Sequence, residues 1–266
     1  MSDPLAFPMY AVNRRDTDAL WLAVQELLVA RGVPVGNLTP VLPQETLVEH
    51  WQNPQLILSQ TCGYPLVTQL LDVQVVGCFH YTAPGCESFY YRSVLVAREE
   101  DKQQTFADFR ARTVVCNSTD SQSGYNVLMK RVTPLAVNGR FFSRVVLSGS
   151  HRQSLIDVKR GEGDIAAIDC VTWALLQRHE PALLDGLAII DQSPLAPGLP
   201  LITAGETSPD TLAALREALH TLVSAAEYRE ICAALLIGGF SEVTRQPYSQ
   251  LLDWRKAAQT AGIARL

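Results

Sequence analysis

An α/β fold is what this chain predicts, and three observations predict it. Short Val/Ile/Leu-rich runs alternate along the whole length with amphipathic stretches, as strands of a covered sheet alternate with their flanking helices. The chain has 266 residues, 47% hydrophobic and 18% charged, a globular composition that excludes intrinsic disorder. Neither a repeat nor a low-complexity linker interrupts it, so the length divides into one large domain or two lobes of somewhat over a hundred residues each.

The elements follow in order. Strands are expected at Leu5–Val12, Gln55–Leu58, Val73–Phe79, Ser93–Ala97, Thr113–Cys116, Arg144–Leu147, Ile165–Ile168, Leu187–Ile190 and Leu199–Thr203, most of them the length of a buried strand. Asp16–Arg31 is the clearest helix: Ala19, Leu20, Val24, Leu27 and Leu28 fall on one face at spacings of three and four. Further helices are expected at Ser123–Leu135, Arg152–Arg160, Cys170–Arg178, Ser208–Ser224, Glu227–Leu236 and Pro247–Ala261, with a short one beginning near Pro65.

Two changes of character suggest lobe boundaries. Arg98-Glu99-Glu100-Asp101-Lys102 is a polar turn after an apolar strand, and Pro194, Pro197 and Pro200 crowd a second segment. The expected layout is one lobe from 1–97 plus 191–266, a second from 98–190, and a ligand cleft between them, where small molecules commonly bind.

Composition excludes several functions. The net charge is -5 with no strongly basic stretch, which argues against a nucleic-acid backbone as main partner. No apolar run approaches the roughly 20 residues that span a bilayer. Met1-Ser2-Asp3-Pro4 carries no basic or apolar leader, so the chain reads as cytoplasmic as written, or periplasmic if a leader was removed. Cys62, Cys78, Cys86, Cys116, Cys170 and Cys232 form neither a CxxC nor a metal cluster with histidine. Free, mostly buried thiols are expected, with Cys78 and Cys86 the only close pair. GxGxxG, Walker A, HExxH and GxSxG motifs are absent, and no cofactor or metal is expected.

Five places could carry chemistry. Ser118–Asn126 follows a strand and opens a helix, so an oxyanion there would meet free N–H groups, the positive end of the helix dipole, the hydroxyls of Ser121 and Ser123, and a backbone opened by Gly124. The same turn also reads as ordinary capping. Ser59-Gln60-Thr61-Cys62-Gly63-Tyr64 places neutral donors and an aromatic ring at another strand's carboxyl end, and reads equally as a helix cap beside a buried Tyr64. His151, beside Ser150, stands in a first helical turn that disfavours its charged form; a surface histidine beside a capping serine is the plainer reading. Asp169 ends a buried strand, either as an N-cap or as a carboxylate accepting from a ligand's ammonium or protonated oxygen. Tyr10, at the end of the first strand, either closes a cleft or belongs to the core.

The order of these segments is more specific than any one of them. Ser59-Gln60-Thr61-Cys62-Gly63-Tyr64-Pro65-Leu66 comes first, then Tyr91-Arg92-Ser93-Val94-Leu95-Val96 and Asp120-Ser121-Gln122-Ser123-Gly124, then Gly149-Ser150-His151 and Gly163-Asp164-Ile165-Ala166-Ala167-Ile168-Asp169. This order resembles the phosphate/phosphite/phosphonate substrate-binding proteins of ABC transporters, from about Tyr10 to Thr203. The resemblance implies the two-lobed type 2 periplasmic-binding-protein fold, each lobe a mostly parallel sheet flanked by helices, with two crossover segments and hinge closure on a small oxyanion. It assigns the phosphonate oxygens to Ser121, Gln122, Ser123 and the N–H of Gly124. Tyr10, Ser59, Gln60, Thr61 and Tyr64 would close over the ligand, and Asp169 would engage the rest of it; His151 matches by position. The expected role is solute binding without catalysis, with a small anionic ligand and an ABC permease as partners.

Two other functions compete. Menaquinone-biosynthesis dehydratases resemble these binding proteins, and an enzyme of that kind would use His151 or Asp169 as its base. A cytosolic ligand-sensing domain would pass closure to a partner, for which no motif is visible.

Overall fold

The computed structural model describes residues 5–36, 39–40, 43 and 45–266. The N-terminal Met1-Ser2-Asp3-Pro4, read above for a leader, lies outside them. The chain forms two units, one of residues 1–90 and 197–248, the other of residues 91–196 and 249–266.

These boundaries differ from those expected in two ways. Ser93–Arg98, placed by sequence at the end of the first lobe, pairs on both sides inside the second unit, with Ile165–Asp169 and with Leu187–Gln192. The C-terminal helix Ser249–Thr260 belongs to the second unit, where Asn126 Nδ2 donates to the Leu251 carbonyl at 3.2 Å. Amphipathicity announces such a helix but does not say which sheet it covers. The chain therefore passes between units three times rather than two, at 90/91, 196/197 and 248/249.

The first unit's sheet runs Leu5–Ala6, Leu58–Gln60, Pro200–Thr203, Gln74–Tyr81, Ile237–Ser241. The second unit's sheet runs Arg144–Leu147, Thr113–Cys116, Ile165–Asp169, Ser93–Arg98, Leu187–Gln192. Both are mixed. Pro200–Thr203 and Ser93–Arg98 are antiparallel to both of their neighbours, and Ile237–Ser241 is antiparallel to Gln74–Tyr81. Each of the two inserted strands follows a passage from the other unit, so no helical crossover has to turn it parallel.

Local chemistry accounts for the shifts in element bounds. The first strand stops at Ala6, ahead of Pro8, which has no N–H for a ladder. Asn13 caps the next helix, Arg14–Val29, by accepting from the Arg15 N–H at 3.0 Å. That helix buries Leu20, Trp21, Val24, Leu27 and Leu28 in the first unit's core, where Leu58, Val76, Phe79, Leu201, Leu219 and Phe240 also lie. The strand expected at Gln55–Leu58 slides to Leu58–Gln60, because its register is set by Leu5 opposite Leu58 and Ala6 opposite Ser59. A helix at Leu47–Trp51 escaped the sequence reading, although Thr46 and Glu49 form a capping box readable as T-L-V-E.

All six cysteines are free and five are buried; burial pushes the Cys78 and Cys116 thiols up to about 12. Among the described residues no helix is long and apolar enough to cross a membrane, and no cluster of side chains could hold a metal ion.

Candidate functional site

In the second unit the expected anion loop is built as a π-turn. Gln122–Asn126 forms one π-helical turn that runs into the α-helix Val127–Val132, where the sequence predicts a plain helix from Ser123. The Asn126 N–H reaches back five residues to the Ser121 carbonyl at 2.9 Å. Such widened turns recur at functional sites. In general the N–H groups of a first helical turn have no intrahelical acceptors. Ser121 caps it, its Oγ accepting from the Gly124 N–H at 3.0 Å.

The residues around this turn fix its side chains. Ser123 Oγ lies 2.8 Å from His151 Nε2, and the Ser123 carbonyl accepts from Ser93 Oγ at 2.8 Å. A Cβ on Gly124 would stand 1.8 Å from Asn117 Oδ1, so the Asn117 carboxamide occupies the space that only glycine leaves. Gln122 is almost fully buried, and its Oε1 accepts from Asn126 Nδ2 at 2.7 Å, so that oxygen is engaged inside the unit. Ser121, Ser123, Gly124 and His151 therefore form one cluster of neutral groups.

His151 is half-buried in the first turn of the helix His151–Lys159, which Ser150 caps. Burial depresses its pKa to about 4, so the ring is neutral near pH 7. Asp169 is the N-cap of Cys170–His179, its Oδ1 accepting from the Val171 and Thr172 N–H groups at 2.8 and 3.1 Å. It stands opposite Ser93 in the sheet, and Ser93 is the residue that links this strand pair to Ser123.

In the first unit, Ser59 and Gln60 end a strand rather than occupying a loop, and Gly63–Thr68 is already helical. Ser59 is fully buried, its Oγ 3.0 Å from His50 Nε2. Gln60 Nε2 donates to the Tyr81 hydroxyl at 2.9 Å, and Tyr10 packs edge-on against the Tyr81 ring with centroids 5.0 Å apart. Thr61 is buried, its N–H donating to the Pro200 carbonyl at 3.0 Å, and Tyr64 is half-buried in the first helical turn. Tyr10, Gln60 and Tyr81 line a pocket of about 10 Å³, room for one water molecule and no larger ligand.

Four supporting residues escaped the sequence reading. Ser93 and Asn117 had a signal: the first is a lone hydroxyl at the head of an apolar run, and the second immediately precedes the Ser-rich loop. Tyr81 and His50 had none, since their partners Gln60 and Ser59 are respectively 21 and 9 residues away in sequence.

A neutral serine pair on a π-turn, positioned by strand and histidine, suits recognition of an oxyanion by hydrogen bonding. Residues 55–248 match the family model of the phosphonate periplasmic substrate-binding proteins of ABC transporters, and the chain belongs to that family. These are transporter solute-binding proteins and not enzymes, so the dehydratase reading of His151 and Asp169 falls away. Family membership supplies a small-molecule ligand and a transporter as partners, and the periplasm as the family's compartment. A search of curated protein sequences returned no match.

Solved structures share the fold at low identity. PhnD1 of Prochlorococcus marinus, in complex with methylphosphonate, is 15% identical with a TM-score of 0.76, covering 96% of each chain. A binding-protein component of an ABC phosphonate transporter from Pseudomonas aeruginosa is 16% identical with a TM-score of 0.75, covering 98% of this chain and 88% of its own. A Xanthomonas citri protein bound to ATP is 13% identical with a TM-score of 0.71, covering 97% of this chain and 98% of its own.

Proposed function

We propose that this chain binds a small phosphorus oxyanion, a phosphonate before others, and presents it to an ABC permease on the periplasmic side. The observation that carries the reading is the π-turn Gln122–Asn126 with its cap Ser121: the hydroxyls of Ser121 and Ser123 stand at a helix start, where the helix dipole is positive. Family membership and the methylphosphonate held by the Prochlorococcus relative support the ligand class. In this reading Ser121, Ser123, His151 and Asp169 belong to the second unit's oxyanion site, and Tyr10, Ser59, Gln60, Thr61 and Tyr64 are the first unit's candidates for ligand contact.

A thermal-shift screen against phosphate, phosphite, methylphosphonate, 2-aminoethylphosphonate, sulfonates and small carboxylates tests it. A concentration-dependent rise with a phosphorus oxyanion is expected, since a ligand that binds only the folded state stabilises by mass action. ATP belongs in the same screen because one structural relative carries it. Ser123→Ala should weaken the bound oxyanion by about 1–3 kcal/mol, the worth of a charge-assisted hydrogen bond. Unchanged affinity in that variant, or stabilisation by carboxylates alone, overturns the assignment.

A further inference from the structure

The serine pair has a hydrogen-bond polarity that the neighbouring ring sets. A serine hydroxyl carries one proton to donate and two lone pairs that accept. Ser121 Oγ already accepts from the Gly124 N–H at 3.0 Å. Ser123 Oγ lies 2.8 Å from His151 Nε2, and which of the two donates depends on where the ring carries its proton.

Three observations place that proton. The His151 ring is neutral near pH 7, since burial holds its pKa at about 4 and a first helical turn disfavours an added positive charge. A neutral ring has one N–H. Nδ1 is buried and has no hydrogen-bond partner among the described residues. A proton on Nδ1 would be a buried donor with nothing to accept it, a costlier defect than a bare lone pair, whereas a proton on Nε2 meets Ser123 Oγ directly.

We infer that His151 is a positioning residue: its Nε2–H donates to Ser123 Oγ and so turns the Ser123 hydroxyl into a donor toward the ligand. Both serines then accept from protein N–H groups and offer their own protons outward. A subsite of this kind takes ligand oxygens that carry no proton. Each serine keeps one further lone pair, but with its proton directed at the ligand a P–OH or ammonium is better met by another group. The inference deepens the oxyanion reading of Ser121–Gly124 and rests on it for the ligand, but the position of the proton is decided without a ligand.

The first experiment is a long-range proton–nitrogen correlation spectrum of the full chain labelled with 15N-histidine at pH 7, with the His151 signals identified by their loss in His151→Gln. The Nε2–H tautomer is expected, and an Nδ1–H tautomer overturns the inference whatever the protein binds. The second is methylphosphonate titration of His151→Gln, whose amide N–H reaches about the place of Nε2–H, and His151→Leu, which has no donor. The Gln variant should stay within about threefold of the parent and the Leu variant should lose about tenfold or more. That gap should collapse when Ser123→Ala is added, because His151 acts through the Ser123 hydroxyl; a purely structural role would leave it unchanged. Equal affinities of the Gln and Leu variants, or a gap that survives Ser123→Ala, refute the positioning role. A parent protein that binds none of phosphate, phosphite, methylphosphonate and 2-aminoethylphosphonate refutes the ligand reading instead, and the spectrum still decides the tautomer.

Discussion

Asp169 is a place where support of the fold and recognition of a ligand can be separated by one pair of variants. Its Oδ1 accepts from the Val171 and Thr172 N–H groups at 2.8 and 3.1 Å, and the residue is only 2% exposed. Alanine removes the acceptor and leaves both buried N–H groups without it. Loss of an N-cap costs about 0.5–2 kcal/mol, and a buried donor left unpaired costs about 1–3 kcal/mol, so Asp169→Ala should destabilise the second unit by about 2–4 kcal/mol. Asparagine keeps an oxygen in the same place and loses only the charge at the helix start, worth about 0.3–1 kcal/mol. At about 2–4 °C per kcal/mol for a chain of this size class, the alanine variant should melt roughly 4–16 °C lower and the asparagine variant no more than about 4 °C lower. Calorimetry on both variants and the parent reads this directly. If Asp169 also accepts from a ligand's ammonium, Asp169→Asn should bind 2-aminoethylphosphonate more weakly than the parent while methylphosphonate binding is less affected. Equal melting losses in the two variants would show that the charge matters and the cap does not. No loss in the alanine variant would refute the capping argument altogether.

Three further predictions follow from other contacts. Gly124→Ala forces a Cβ to within 1.8 Å of Asn117 Oδ1 unless that carboxamide moves, so oxyanion affinity should fall by tenfold or more in a titration while the first unit's melting is unchanged. Arg245 donates to the carbonyls of Leu66, Leu70 and Val73, holding the end of the helix Gly63–Thr68 and the segment after it; Arg245→Ala should destabilise the first unit by about 2–4 kcal/mol in urea unfolding. His151 titrates at about 4 in the folded chain, below its unfolded value of about 6.5, so its contribution to stability is complete above pH 6.5 and is lost as pH falls toward 4. Urea unfolding at pH 7 and pH 4.5 should show a loss of about 1–3 kcal/mol in the parent that is smaller in His151→Gln, and an equal loss in both would refute the assignment to His151.

The alternation of apolar runs was enough to read most strands, because a buried strand has to be Val/Ile/Leu-rich wherever the sheet places it. The helix Arg14–Val29 was legible in its face spacing, and Cys170–His179 in the aspartate that caps it. Strand ends were less legible. Ser59 and Gln60 read as loop because they are polar, yet backbone pairing with Ala6 and Pro200–Thr203 holds them in the sheet. The π-turn at Gln122–Asn126 was also invisible: the residues that pack around it, Ser93, His151 and Asn117, come from other segments of the chain.

The residues proposed to recognise an oxyanion, and their order along the chain, were written in local sequence, since a serine pair, a glycine and a helix start lie within a few residues of one another. Which partner sets each of them was decided by the tertiary structure. His151 lies 28 residues from Ser123, and Ser93 lies 30 residues before it. The same holds for the C-terminal helix, which packs in the second unit through long-range contacts such as that between Asn126 and Leu251, 125 residues apart. Local propensity acts over one or two turns of chain, whereas hydrogen-bond polarity and unit membership depend on contacts that form only when distant segments pack.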